Sequence, residues 1–532
     1  MRPRRRRRAH RQRRRRHRPR DPGAPAAALG VRARARPPAD RDRGDHRHPH
    51  VGRGGSPRLA PVGSPWTDAL RGPRVFGRFA RDPCGCSRPV LTPARASRRA
   101  DRPRRPPAPW CPFFRLAPLP SGVTLIPDAD RARHLAWLLE LTGVPTAAGK
   151  ERRVVRWIER WVENHPGVRL ERDPAGNLVL GLDDSPRSDR PLFFTAHLDH
   201  PGFVVERIVS PTAVELAFRG GVMSDYFPGA GVRCLDADDH ATRGRVLEHL
   251  APHEGAPPEP FKRYLVELER PAEDLMPGDL AVWDLPPSEV ADGLVQAPAC
   301  DDLAAAAAAL AALDALHARR AAGGAVSDVR VLFTRGEEVG FLGAIAAVTN
   351  RTMPPGSRVL ALENSRAFND SPINAGPIVR VGDRLSIFSP SLTAAVAARA
   401  AEIAGGPAQP LASQKARDLP RWRWQRKLMA GGACEATVFC QGGYEATCLC
   451  LPLGNYHNMA DLAAVQAGDH ASPPRIAREF IGLADFHGLV DLLVGCGLRL
   501  ADATPAPVRT EKVWSDLGWV LDPDARSGTP TS

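Results

Sequence analysis

The chain has 532 residues, room for two or three domains, and its 43% hydrophobic content can fill a sizeable core, which excludes a wholly disordered or fibrous protein. Its net charge of +15 suggests a nucleic-acid binder, but residues 1–120 carry 33 arginines against 7 aspartates, while the other 412 residues carry 41 basic against 52 acidic side chains. The +26 of the first segment therefore hides an acidic remainder of −11. No stretch reaches the roughly 18–20 apolar residues of a membrane span, and no GxSxG nucleophile elbow occurs.

Residues 1–122 are a distinct polymer. The first 120 contain no lysine or glutamate and repeat Arg, Pro, Ala and Gly from MRPRRRRRAHRQRRRRHRPR onward, so they cannot bury enough apolar surface to offset ordering. Disorder is expected. One functional reading is an arginine-rich arm for phosphates; the reading we favour is an upstream frame, since those four residues have GC-rich codons. The methionine after Met1 is Met223, already past His197, which leaves Val123 as a candidate start. DPGAPAAALG is too short and too broken by proline for a secretory core, and none of the ten cysteines lies in a CxxC array. A cytoplasmic protein with reduced, buried thiols is expected.

Residues 123–201 begin a globular core, in which PLFFTA reads as a short buried strand. Residues 202–296 alternate β-like runs (AVELAF, GRVLEHL, RYLVELE, LAVWDL) with Gly- and Pro-rich turns and read as an inserted all-β module. An interaction surface and a simple lid are both open to it. The core resumes over 297–504. LAAAAAALAALDALHARR is a strong helix stopped at Gly323-Gly324, and VRVLFT and RVLAL are further buried strands. SPSLTAAVAARAAEIAG and SPPRIAREFIGLADFHGLVDLLVGC read as helices, the second with a Ser-Pro-Pro start. RDLPRWRWQRKLM at 417–429 reads as a basic, tryptophan-bearing loop, more suited to an oligomer or channel surface than to stacking on bases. The tail over 505–532 reads as loose. Strands feeding loops and helices imply an α/β sheet with its site beyond the carboxyl ends of the strands.

Five segments put metal-ligand side chains at those ends. They are FFTAHLDHPGF with His197 and Asp199, APACDDLAAAA with Asp301 and Asp302, VRVLFTRGEEVGFLGA with Glu337 and Glu338, VLALENS with Glu363, and LPLGNYHNMAD with His457. Two divalent ions about 3.5–4 Å apart need a bridging carboxylate, an imidazole and a carboxylate on each, and a base for a shared water. The segments supply that count with one glutamate to spare. Imidazole and carboxylate suit zinc, with cobalt or manganese as substitutes. Each piece alone has a bland reading: a solvated turn, a core histidine, a helix cap, a loop histidine. Five such coincidences in one order, each beside a strand end, are a different matter.

In order and local wording these segments resemble the di-zinc exopeptidase superfamily, and within it the tetrahedral (TET), glutamyl or deblocking aminopeptidases, over roughly residues 123–500. The resemblance implies a mixed-sheet α/β hydrolase core carrying an inserted β domain that controls assembly into large hollow oligomers. It implies that His197, Asp301 and Glu363 hold one metal and that Asp301, Glu338 and His457 hold the other. Glu337 would be the general base and Asp199 would orient His197, while Asp302 would shape the bridge loop. The implied activity is removal of N-terminal residues from peptides.

Departures loosen the substrate. The family usually has an acidic residue where His200 stands and an aspartate where Glu363 stands, which keeps a dipeptidase or deacylase open. GGACEA, with Cys434 and Glu435, stands in for the family's GGTDA. Glu435 is either a charge near the cleft or a substrate contact, and His200 is either a contact behind the ligands or a surface residue. From another class, an arginine-armed nucleic-acid protein with an inert hydrolase domain is the remaining reading.

Overall fold

The computed structural model describes residues 125–183, 187–252, 259–408, 422–501 and 510–521. The expectations for residues 1–122 lie outside them, as do most of the 417–429 segment's first half and the chain end beyond 521.

The apolar runs form a mixed eleven-stranded sheet. Its centre is four parallel strands in the order Val329–Thr334, Leu192–His197, Arg358–Arg366 and Glu445–Gly454. Period-two alternation lets both faces bury apolar side chains. Phe194, Val331, Phe333, Leu360 and Leu449 join one core, and Phe193, Leu332 and Val359 join another on the opposite face. The helices Leu303–Ala321, Pro390–Ala404 and Leu483–Leu498 contribute to the first core; Leu342–Thr349 and Glu435–Gln441 contribute to the second. Every residue of the alanine run 304–309 is fully buried. Those small side chains let the helix lie close against the sheet.

The strands Gly202–Ser210, Ala213–Arg219, Lys262–Leu268, Ala241–Leu250, Gly231–Leu235 and Leu280–Trp283 close, in that order, into an antiparallel barrel. Its interior is aromatic: Phe203 meets Trp283 edge-on at 4.7 Å between centroids, and Phe227 stacks on Tyr264 at 4.1 Å. The barrel ends before the boundary expected at 296, because Glu289–Ala291 and Leu294–Ala297 pair into the main sheet, the latter with Glu479–Gly482.

Three other expectations change. The last core helix starts at Leu483 rather than after Ser-Pro-Pro, because EFIG forms the strand Glu479–Gly482 between two sheet partners. The basic tryptophan segment is not a free loop over its described part: Trp424 is buried in the core and Gln425–Leu428 is a strand. The tail expected to be loose contains the helix Thr510–Leu517, with Val513, Trp514 and Leu517 exposed. No helix among the described residues is long and apolar enough to cross a membrane.

Candidate metal centre

The parallel strands bring the five segments to one edge of the sheet. His197 ends its strand in register with Thr334, from which the chain runs into Glu337 and Glu338; Glu363 lies near the end of the next strand, and His457 follows the one after. Asp301 and Asp302 precede the alanine-rich helix, with a cis peptide between them. All of these side chains are buried.

Asp301 is the hub. Its Oδ1 lies 3.4 Å from His197 Nε2 and its Oδ2 lies 3.5 Å from His457 Nε2, so one carboxylate turns an oxygen to each imidazole. His457 Nε2 is also 3.4 Å from Glu338 Oε1, and His197 Nε2 is 3.9 Å from Glu337 Oε2. Tetrahedral zinc with bonds of 2.0–2.2 Å holds its donor atoms about 3.3–3.6 Å apart. The first three contacts have that spacing. Two sets of donors are close enough to share an ion, His197 with Asp301 and Glu338, and His197 with Glu337 and Glu363.

The ring nitrogens away from the hub are committed. His197 Nδ1 meets the Asp199 carbonyl at 3.0 Å and His457 Nδ1 meets the Gly221 carbonyl at 2.6 Å. A carbonyl accepts only from N–H, which leaves both Nε2 lone pairs facing Asp301.

Electrostatics point the same way. Burial pushes the Glu337 and Glu338 carboxyls well above their usual range and Glu363 to about 8, the last reinforced by Asp301. Asp301 alone is held below the usual range, because the His197 and His457 imidazoles facing it outweigh its burial. Burial opposes a charged His197 and His457, yet Glu337 and Glu338 respectively raise them. Acids and bases both shifted toward the protonated form mark a cluster short of positive charge. Asp301 Oδ1 and Glu338 Oε1 also lack hydrogen-bond donors among the described residues. The donor set thus fits divalent cations.

Asp199 acts differently from the expectation. Its carboxylate accepts the backbone N–H groups of Glu337 at 2.9 Å and Glu338 at 3.0 Å, and lies 3.7 Å from the His197 ring. The contact that orients His197 comes from the Asp199 main chain, while the side chain fixes the double-glutamate turn. Asp302 accepts the His197 N–H at 3.3 Å, in keeping with a loop-shaping role. His200 is buried: Nδ1 reaches the Asp301 carbonyl at 2.5 Å and Nε2 reaches Asn458 Oδ1 at 2.9 Å, while burial lowers its pKa to about 4. It is a buried contact behind Asp301 and not a surface residue.

Two further acids escaped the sequence reading. Glu479 is fully buried and accepts from Cys300 N–H at 2.7 Å, Asp301 N–H at 3.0 Å and His457 N–H at 2.8 Å, clamping the loops that carry Asp301 and His457. Glu151 accepts from Gly336 N–H at 3.1 Å and pairs with Arg335 at 2.7 Å, anchoring the other side of the glutamate turn. His457 itself sits at φ 54°, a left-handed conformation that a branched network of this kind must hold in place.

Comparison with known proteins agrees with this architecture. The family model described as M42 glutamyl aminopeptidase matches residues 176–409, which include His197, Asp199, Asp301, Asp302, Glu337, Glu338 and Glu363 but not Glu435 or His457. The TET aminopeptidase of a marine-sediment Thaumarchaeota archaeon superposes with TM-score 0.54 at 19% identity, covering 69% of this chain and 97% of that one. An aminopeptidase from the archaeon Desulfurococcus kamchatkensis gives 0.52 at 19%, covering 70% and 96%. The Pyrococcus horikoshii TET1 peptidase, which can assemble into a tetrahedron or a large octahedral shell, gives 0.52 at 19%, covering 69% and 99%. Comparison with curated protein sequences finds no match. Over residues 176–409 the chain is therefore similar to the M42 glutamyl aminopeptidases, and it shares the mixed α/β fold of the TET aminopeptidases.

Proposed function

We propose that this protein is a metal-dependent aminopeptidase that removes N-terminal residues from peptides. The observation that carries the reading is Asp301 with one oxygen toward each of two imidazoles, flanked by Glu337, Glu338 and Glu363. His197, Asp301 and Glu363 would hold one divalent ion, and Asp301, Glu338 and His457 the other, with zinc the best match to these ligands. When bound, such a pair polarises a scissile carbonyl and acidifies a water.

The chain's own groups supply the rest. Glu337 lies 3.9 Å from His197 and could reach the same ion as His197 and Glu363, but it takes part in neither bridging contact; in this reading its carboxyl takes a proton from water and passes it to the leaving amine. Asp199 and Glu151 fix the turn that carries it, and Glu479 and His200 fix the loops of Asp301 and His457. Preorganisation of this kind keeps the geometry from relaxing during the reaction. We further propose self-association, with the barrel as the contact surface, by analogy with the assembling TET1 peptidase.

Glutamate at 363 favours a second reading, a dipeptidase or deacylase on the same scaffold. A mixed peptide library with free and acetylated N-termini, incubated with the zinc-loaded protein and with a chelated control, separates the two by mass spectrometry. Stepwise, metal-dependent loss from free N-termini supports the aminopeptidase. Cleavage of dipeptides alone, or loss of acyl groups, transfers the assignment to the second reading.

A further inference from the structure

Most buried carboxylates around the metal centre are accounted for. Asp199 and Glu479 each accept backbone N–H groups, Glu151 pairs with Arg335, and Asp301, Glu338, Glu337 and Glu363 belong to sets that can share an ion. Glu435 is not. It is only 3% exposed, and neither of its carboxylate oxygens has a hydrogen-bond partner among the described residues. The hydroxyl beside it is that of Thr334, which also lies 3.4 Å from the Ala196 carbonyl and can give Glu435 at most a weak contact.

Glu435 nonetheless belongs to the site's neighbourhood. It feels the charges of His197 and Asp199, and its own charge acts on Glu337, Glu363 and Asp302. It is absent from both sets of donors that can share an ion, so a metal does not explain it. The buried guanidinium of Arg380 neighbours Glu363, and its Nη1 is on Ser365 Oγ at 3.1 Å. A buried carboxylate with at most one hydroxyl beside it, no metal and no guanidinium costs several kcal/mol unless something cationic arrives. Such a group beside a reaction centre has the character of a substrate contact.

We propose that Glu435 accepts a primary ammonium group of the substrate, either the α-ammonium of the peptide N-terminus or the side-chain ammonium of a lysine in first position. The inference rests on the aminopeptidase reading and gives it a source of selectivity. A site built around a buried anion rejects an isostere lacking the cation, because the anion is then left unpaired. Burial lifts the Glu435 carboxyl to about 7, and an adjacent ammonium would favour its ionised form.

The test measures binding and needs no turnover. Three ligands of one length are titrated calorimetrically into the zinc-loaded full chain: hexanohydroxamate, 2-aminohexanohydroxamate and 6-aminohexanohydroxamate. All grip metal through the same group and differ only in the ammonium. We expect one amino compound to bind about 10–100-fold more tightly than hexanohydroxamate, the span for a charged hydrogen bond. The 2-amino compound identifies the N-terminus as the source and the 6-amino compound identifies a lysine side chain. In Glu435→Gln, with unchanged zinc content and circular dichroism, the gain should fall to about twofold while hexanohydroxamate binds as before. Equal binding of all three ligands to the unmutated protein, or a gain that survives in Glu435→Gln, overturns the inference. Equal binding of the three ligands to the unmutated protein overturns the inference even if the variant does not fold. Failure of the underlying reading looks different: no hydroxamate binds, which removes both, or ligands bind with an ammonium preference yet no peptide is cleaved, which removes the activity and leaves the subsite.

Discussion

The barrel and the carboxyl edge of the sheet are both buried, and burial does opposite work in them. Inside the barrel Phe203, Phe218, Phe227, Tyr264 and Trp283 pack ring on ring, and removal from water is itself the stabilising term. At the sheet edge burial encloses Asp199, Asp301, Asp302, Glu337, Glu338, Glu363, Glu435 and Glu479 beside two imidazoles, and there it opposes the charged forms. That edge persists because some of its acids take backbone N–H groups and the others are suited to cations.

The largest effect should come from the acid assigned to proton transfer. Glu337→Gln should keep its zinc and lose about 10²–10⁴-fold in turnover. A near-normal rate in steady-state kinetics would remove the assigned base. In the barrel, Phe203→Ala should cost about 3–5 kcal/mol in denaturant unfolding while zinc affinity stays unchanged. A matching loss of zinc affinity would mean the two regions are not separable.

Between these extremes lies the clamp. Glu479→Ala leaves three buried N–H groups without their acceptor and should weaken zinc binding about 10–100-fold in competition titrations. Unaltered affinity would reduce Glu479 to a purely structural acid. The smallest effect is remote from both regions. Against the cost of burial, hydrogen bonds from His134, His165 and Arg133 hold the Asp314 carboxyl far below its usual range. The unfolded chain therefore binds the proton first, and stability should be full above about pH 4 and fall as the solution is acidified. Asp314→Asn should flatten that acid-side loss by on the order of 1 kcal/mol after screening by solvent. An unchanged profile of melting temperature against pH would contradict it.

What the sequence made legible follows the same division. PLFFTA, VRVLFT and RVLAL declare buried strands through their composition, and their ends carry His197, Glu337 and Glu363, so the site could be read from local pattern. Glu479 could not. Its partners are backbone N–H groups 179, 178 and 22 residues away, and no side-chain motif records a carboxylate whose work is done on main chain. The same long-range pairing turned EFIG from the expected helix into a strand, and packing against the core drew Trp424 out of the expected loop. His200 was ambiguous because burial, and not its neighbours in sequence, decides its role.

The account stands on Asp301 as the bridge between two cations. Native mass spectrometry of the zinc-loaded protein, beside Asp301→Asn, tests this directly. Two zinc ions per chain in the unmutated protein, with both weakened together by the single substitution, is the result expected. One ion, or the loss of only one on substitution, would contradict the bridge and with it the two-metal centre.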